Sequence, residues 1–407
     1  MDTRARRLIL AAAVVGLAAR LAFGLVYWVG KPLTHDEREY LALARNVAAG
    51  RGFTYDPSHQ TGTAQQFGRA PGYPLFIAAV GATGSSYESS PARLKIAQSI
   101  VGAVAVWLIG LMAWRAVGPR AGVLAAAIAA VYPPLVWMCA YVLSETLYSL
   151  VALAAVYILD VAMERARVHR AGGAGMLGAG LLAGAATLTR PVMLFFLPLA
   201  LLWILRRRRP ALAVAFLAAV LAVVLPWTAR NYRVYDQFVL VASEGGVTFW
   251  TGNHPLARGD GDLAANPDLK RAELEFRRAH PALTAEQLEP IYYRDAFRSI
   301  RDNPGRWLLL LIKKAFYTIV PIGPSYTLHS VKYLVASVAS YLLLLPFAVA
   351  GFRHLWRSQT RPVALLLLAA SVVLAGLLFF PQERFRIPVL DPTMIVCAAS
   401  LAARGRA

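Results

Sequence analysis

Long apolar runs, each closed by a short tuft of arginine, recur along most of this chain. The first, Leu8 to Val29, has Arg20 as its only charge, and a run of about 20 such residues is what a helix needs to cross a bilayer. Taking the arginine tufts as fixed points, the pattern predicts spans over 8–29, 93–116, 120–139, 142–163, 174–188, 190–205, 211–228, 330–352, 362–380 and 386–403. Two apolar pieces are not predicted to cross. Residues 71–82, "PGYPLFIAAVGA", are short and read as a juxtamembrane or re-entrant helix. Residues 306–322, "RWLLLLIKKAFYTIVPI", carry Lys313 and Lys314 at their centre, and a crossing there would put the next arginine tuft on the wrong side. They read as an interfacial helix.

Between these runs the pattern changes. "QFVLVAS" and "VTFWTG" flank Glu244-Gly245-Gly246 and predict a short hairpin. "TAEQLEPIYYRDAFRSIRDNP" opens with Thr284 and Gln287 at capping-box spacing and stops before Pro304, which predicts a helix. Tyr40, Leu43, Ala44 and Val47 recur at helical spacing after Pro32. "GLLAG", Gly180 to Gly184, offers a small-residue face for a close helix contact. No internal repeat or low-complexity tract is present in the sequence.

Composition agrees with the spans. Of 407 residues 58% are hydrophobic and the mean hydropathy is +0.51, which excludes an ordinary soluble domain. The net charge of +20 invites a nucleic-acid reading, but its distribution argues against one. Seventeen arginines sit in tufts (Arg4, Arg6 and Arg7; Arg115 and Arg120; Arg165, Arg167 and Arg170; Arg206 to Arg209; Arg353, Arg357 and Arg361; Arg404 and Arg406), with only Asp2 and Glu164 among them. The two long polar segments, 29–92 and 229–305, carry net charges of zero and −1. This is the positive-inside distribution, which puts the tufts in the cytoplasm and both polar segments outside. The first span has a basic start without a small-residue cleavage site and reads as a retained signal-anchor. Cys139 and Cys397 fall in or beside apolar helices and suggest neither a disulfide framework nor a metal cluster.

The chemistry-bearing residues gather on the outer side. "THDEREY" follows span one directly, and a carboxylate such as Asp36 at a water–bilayer boundary stays ionised while feeling a lowered dielectric. That suits a general base; a solvated flank is the alternative. "RAPGYPLFIA" brings Arg69 to the interface, where it can hold an anion or simply open a proline-rich helix entry. Glu145 in "LSETLY" lies at the end of a span, as a functional group or a packing carboxylate paired with an outer arginine. Arg190 in "LTRP", Arg230 in "PWTARNY", and Glu383, Arg384 and Arg386 in "PQERFRIP" stand where positive charge is disfavoured. Loop carboxylates or a bound lipid phosphate would compensate them. "GNHP", with Asn253, is a polar turn beside Trp250, suited to a sugar face or to an interfacial tryptophan. The sequence has no Walker loop, paired-cysteine zinc site or dinucleotide glycine fingerprint. His35, Asp36 and Glu37 are adjacent, and three consecutive side chains rarely converge on one metal.

Taken in order, "HDEREYLALARNVAAGRGF", "RAPGYPLFIA", "LSETLYSL", "LTRP", "PWTARNYRVY", "GGVTFWTGNHP" and "ERFRIPVL" resemble stretches of the GT-C superfamily of membrane glycosyltransferases. The likeness is to bacterial relatives of protein O-mannosyltransferases and of the lipid A aminoarabinose transferase, and it extends from residue 35 to 390. It implies an all-α polytopic enzyme of about ten transmembrane helices in the cytoplasmic (inner) membrane. A sugar would pass from a polyprenyl-phosphate donor to a lipid, glycan or protein acceptor outside, and a divalent metal is left open as a cofactor. Carried over by position, Asp36 is the catalytic acid with Glu37 as its neighbour. Arg69, Tyr73, Arg190, Arg230 and Arg384 fall on the donor-phosphate side, and Glu145, Asn253 and Glu383 remain further polar candidates. The domains expected are an N-terminal transmembrane module, 1–226, with its outer segment 30–92; an outer loop domain, 227–305; and a C-terminal transmembrane module, 306–407. The rival class is a polytopic transporter or lipid flippase, against which stands the lack of any inverted repeat or clearly broken helix pair.

Overall fold

Among the described residues, five helices are long and apolar enough to cross a membrane: Thr3 through Tyr27, Ala92–Val117, Glu145–Val168, Pro210–Tyr235 and Leu334–Arg357. A bent pair, Pro119–Val131 and Pro133–Ala140, makes a sixth, and four shorter apolar helices cover 173–189, 191–206, 363–378 and 390–402. The computed structural model describes residues 2–55, 68–84, 88–169, 172–261, 266–320, 331–357 and 361–405. Parts of both polar segments (56–67, 85–87 and 262–265), the ends of two predicted helices (321–322 and 330) and Arg170 and Arg406 of the tufts lie outside the described residues. Among those described, no strand forms, and the single β-bridge joins Pro32 to Ser89. Each predicted span corresponds to a helix or helix pair within a few residues. The last is divided, into Glu383–Arg386 and Leu390–Ala399.

Arg20, the one charge in the first helix, is 2% exposed, and its guanidinium donates to the carbonyls of Gly16 (2.9 Å), Ala130 (3.1 Å) and Ala129 (3.2 Å). In a continuous helix Ala129 and Ala130 would receive the N–H groups of residues 133 and 134. Both are proline and have none. Contrary to the expectation of unbroken helices, the helix therefore breaks by 61° at Tyr132, and Arg20 replaces the two missing donors. The helices Gly173–Thr189 and Pro210–Tyr235 meet as the small-residue face predicts. A Cβ on Gly180 would lie 2.4 Å from the Phe216 carbonyl oxygen, and one on Gly184 2.8 Å from Val223 Cβ.

The predicted hairpin is absent: Gly245–Asn253 is a helix. It lies against Ala285–Asp302, where Phe249 and Trp250 join Leu269, Leu288, Tyr292 and Ala296 in a small separate core. Burying two aromatics against a neighbouring helix outweighs the strand preference of "VTFW". Gly246 permits the contact, since a Cβ there would lie 2.5 Å from the Glu289 carbonyl oxygen. The capping box of Thr284 and Gln287 is present as predicted. A helix at Pro267–Arg278, which the pattern did not suggest, completes this outer layer. Residues Gly72–Ala79 form the expected short helix. Pro304–Ile319 is a helix of two characters, with Leu308, Leu309, Ile312 and Phe316 exposed while Lys314 is buried. The Lys314 ammonium donates to Asn253 Oδ1 (3.1 Å) and to the Leu377 carbonyl (3.1 Å), so it ties the outer layer to the end of Val363–Leu378.

Candidate active site

Between the helical bundle and the outer layer lies a cavity of about 1030 Å³. Apolar residues, among them Phe195, Pro198, Leu199 and Phe238, line it together with a set of charged groups.

Asp36 occupies the first turn of the helix His35–Ala48. Thr34 caps this helix, with its hydroxyl oxygen accepting from the Glu37 N–H while Glu37 accepts from the Thr34 N–H at 2.8 Å. The unpaired amides of a helix start favour an anion there. The Asp36 carboxylate is clasped on both oxygens, by Arg69 at 2.8 Å and by Arg384 at 2.9 Å. Burial pushes this carboxyl up, but Arg384 and Arg69 together outweigh it and hold Asp36 well below the usual carboxylate range. Arg69 is shared further: it donates to Glu39 and, at 3.0 Å, to Glu244, and lies 5.4 Å from the centre of the Tyr40 ring.

Arg190 pairs with the buried Glu145 at 2.9 Å and donates to Ser144 Oγ at 3.0 Å. Its guanidinium stands 5.2 Å from the centre of the Phe385 ring, and that of Arg384 stands 5.1 Å from the same ring. Phe385 thus holds two guanidiniums over one cavity wall, a fork arrangement suited to a phosphate. At the outer layer, Glu289 accepts from the Gly246 N–H at 3.3 Å. Burial, with Glu286 and Glu244 nearby, pushes its carboxyl up to about 7.

Of the residues singled out in the sequence, Asp36, Arg69, Glu145, Arg190, Arg384 and Arg386 line the cavity, whereas Glu37, Tyr73, Arg230, Asn253 and Glu383 do not. Glu37 is 2% exposed and fully used in structure, one oxygen in the capping box and the other accepting from the Val142 N–H at 2.9 Å. Consecutive helical residues point about 100° apart, so Asp36 and Glu37 cannot serve the same wall. Tyr73 is buried, edge-on to Tyr40, with its hydroxyl donating to Gln98 at 2.8 Å. Arg230 is held among Phe53, Trp227 and Tyr235. Asn253 is the partner of Lys314 and Trp307. Glu383 is buried at the start of the short helix that carries Arg384.

Sequence reasoning missed Tyr40, Ser144, Glu244, Glu286, Glu289 and Tyr293 on the cavity wall. Glu244 read as part of a hairpin turn, and Glu286 as the first turn of a capped helix. For Glu39 a signal existed: it falls three residues after Asp36, on the same helical face. Among the described residues no group of three His, Cys, Asp or Glu side chains is placed to hold a metal ion. The carboxylates nearest Asp36 converge on the Arg69 guanidinium instead.

The site and fold first define a class, a polytopic helical membrane protein with a charged cavity under an outer helical layer. The comparisons then give it relatives. A family model described as dolichyl-phosphate-mannose-protein mannosyltransferase matches residues 69–229. The oligosaccharyltransferase of Archaeoglobus fulgidus tethered with an acceptor peptide is similar in structure at a TM-score of 0.61, with 17% identity over 98% of this chain and 49% of that one. The archaeal oligosaccharyltransferase AglB from the same organism, in complex with an inhibitory peptide and a dolichol-phosphate, gives 0.57 and 15% over 98% and 50%. ArnT from Cupriavidus metallidurans bound to undecaprenyl phosphate gives a TM-score of 0.42, with 14% identity over 100% of this chain and 79% of that one. No curated protein matches the sequence. The chain spans about half the length of the oligosaccharyltransferases whose fold it shares. The resemblance to GT-C membrane glycosyltransferases read from the sequence is shown by the family match and the shared fold.

Proposed function

We propose that this protein is a GT-C type glycosyltransferase that moves a sugar from a polyprenyl-phosphate donor to a lipid, glycan or protein acceptor outside the cytoplasmic membrane. The long apolar helices, the bent pair and the four shorter helices make ten crossings, with the arginine tufts inside. The modules are those read from the sequence: 1–226 with its outer segment 30–92, the outer layer 227–305, and 306–407. The catalytic group is Asp36, and the observation that carries this reading is its carboxylate, clasped by Arg69 and Arg384 on the wall of the large cavity.

The reaction is an inverting displacement. The acceptor hydroxyl loses its proton to Asp36 as its oxygen attacks the anomeric carbon, and the polyprenyl phosphate leaves with the bonding pair. Arg384 and Arg190 take the charge that builds on the departing phosphate. While Arg69 and Arg384 hold Asp36 it is a poor base, because its proton affinity is low. A phosphate on Arg384 draws one guanidinium away and restores that affinity. Glu37 has no part in this chemistry, since its oxygens are committed to Thr34 and Val142.

Asparagine at position 36 keeps the shape and accepts no proton. Asp36→Asn is expected to bind the lipid donor normally while single-turnover transfer falls by about 10²-fold or more. Near-normal transfer in this variant would return Asp36 to a purely structural ion pair.

A further inference from the structure

One carboxylate on the cavity wall has no role in the mechanism above. Glu286 is 3% exposed and lines the cavity from the first turn of the helix Ala285–Asp302. Its Oε1 accepts from Ser243 Oγ at 3.1 Å, and that hydroxyl oxygen in turn accepts from the Gly68 N–H at 2.7 Å. Two fixed bonds therefore orient the side chain from the residue next to Arg69. Its Oε2 is buried and meets no hydrogen-bond donor among the described residues. A buried carboxylate oxygen left unpaired is costly, and folded proteins retain one where a ligand completes it.

The surrounding charge says what kind of ligand this is. Four arginines line the cavity, and each already faces a carboxylate: Arg69 faces Asp36, Glu39 and Glu244; Arg384 faces Asp36; Arg190 faces Glu145; and Arg386 faces Asp391. Neither Glu286 nor Glu289 makes an ion pair among the described residues. The uncompensated charge of the wall is thus negative and lies at the outer-layer end, where Tyr293 also presents its ring. Hydroxyls would satisfy the open oxygen but not the charge. A protonated amine satisfies both.

We propose that Glu286, with Glu289 beside it, is a subsite for a protonated amine on the substrate. This rests on the reading of the cavity as the substrate site, and the amine belongs either to the transferred sugar or to the acceptor. Glucosamine, glucose and N-acetylglucosamine are suitable probes, because they differ in whether the group at one ring position is cationic. With the full-length protein in detergent, near neutral pH, glucosamine is expected to bind about tenfold or more tightly than the other two, the scale of one charge-assisted hydrogen bond. Glu286→Gln should abolish the preference while undecaprenyl phosphate binding and thermal stability stay as in the parent. Equal binding of the three sugars, no binding of glucosamine, or a preference that survives in Glu286→Gln overturns the proposal. Preloading with a polyprenyl-phosphate glucose separates the two sources: blocked glucosamine binding assigns the amine to the donor sugar, and unimpaired binding assigns it to the acceptor. Failure of the parent to bind undecaprenyl phosphate would overturn the lipid-donor reading alone, because the sugar comparison needs no lipid.

Discussion

Arg384 and Arg190 share the Phe385 ring but have different duties, and that difference is measurable. Arg384 holds Asp36, whereas Arg190 holds the buried Glu145. Arg384→Ala should weaken lipid-phosphate binding by the loss of about 1.5–3 kcal/mol of charge-assisted hydrogen bonding. Arg190→Ala should do the same and also lower stability, because Glu145, at 1% exposure, loses its ion-pair partner. Lysine at either position should restore only part of the affinity, since a point charge does not copy the fork. Calorimetry with undecaprenyl phosphate, run beside thermal melts, checks both; unchanged affinity in the alanine variants would reduce these arginines to partners of the carboxylates. At this scale the cations were legible because charge beside an apolar run is conspicuous. Asp36 was legible for the same reason. Glu286 was not, because a glutamate in the first turn of a capped helix is what helix stability alone would place there.

Helices were the most readable part of the chain. Apolar length and arginine tufts located the apolar helices within a few residues, because a helix that is to cross a bilayer needs a long uncharged run. The break at Tyr132 was hidden, although both its causes, Pro133 and Pro134, stand in the sequence; what could not be seen is that Arg20, over a hundred residues earlier, supplies the missing donors. The hairpin failed because strand propensity in "VTFW" is a weak preference beside the burial of Phe249 and Trp250. The Arg20 contact predicts a coupled pair of effects. Arg20→Leu leaves the Ala129 and Ala130 carbonyls unpaired and should cost roughly 1–3 kcal/mol for each. Replacing Pro133 and Pro134 by alanine in the Arg20→Leu background returns N–H donors to those carbonyls and should recover part of the loss. Melting temperatures of the parent, Arg20→Leu, the Pro133 and Pro134 to alanine variant and the combination form the cycle, and simple additivity would show that Arg20 does not act through this break.

The whole molecule is two layers with the cavity between them, so its orientation in the membrane decides which compartment supplies the acceptor. A reporter active only outside the cytoplasm should be active when fused after Asp302, at the end of an outer-layer helix, and silent when fused after Arg208. The reverse pattern would place the site on the cytoplasmic face and remove the proposed reaction. The separate core around Trp250 and Tyr292 makes the outer layer a folded unit, although it is joined to the bundle through Lys314 and Asn253. The helix Ala285–Asp302 was legible from its capping box, whereas the tie through Lys314 was not, because Lys314 read as an interfacial cation.

The double clasp on Asp36 also has a kinetic consequence. A base that is strong only when phosphate occupies Arg384 cannot activate an acceptor, or a stray water, in an enzyme without donor. Substrates must then add in a fixed order, lipid first. Initial-rate measurements should show intersecting lines, and a dead-end acceptor analogue should inhibit uncompetitively against the lipid donor. Competitive or mixed inhibition there would mean that the acceptor can enter first and that the clasp imposes no sequence. With the fixed order, Asp36 is released only in the donor-bound enzyme, so hydrolysis of the lipid donor by water is confined to that complex and should fall as the acceptor concentration rises.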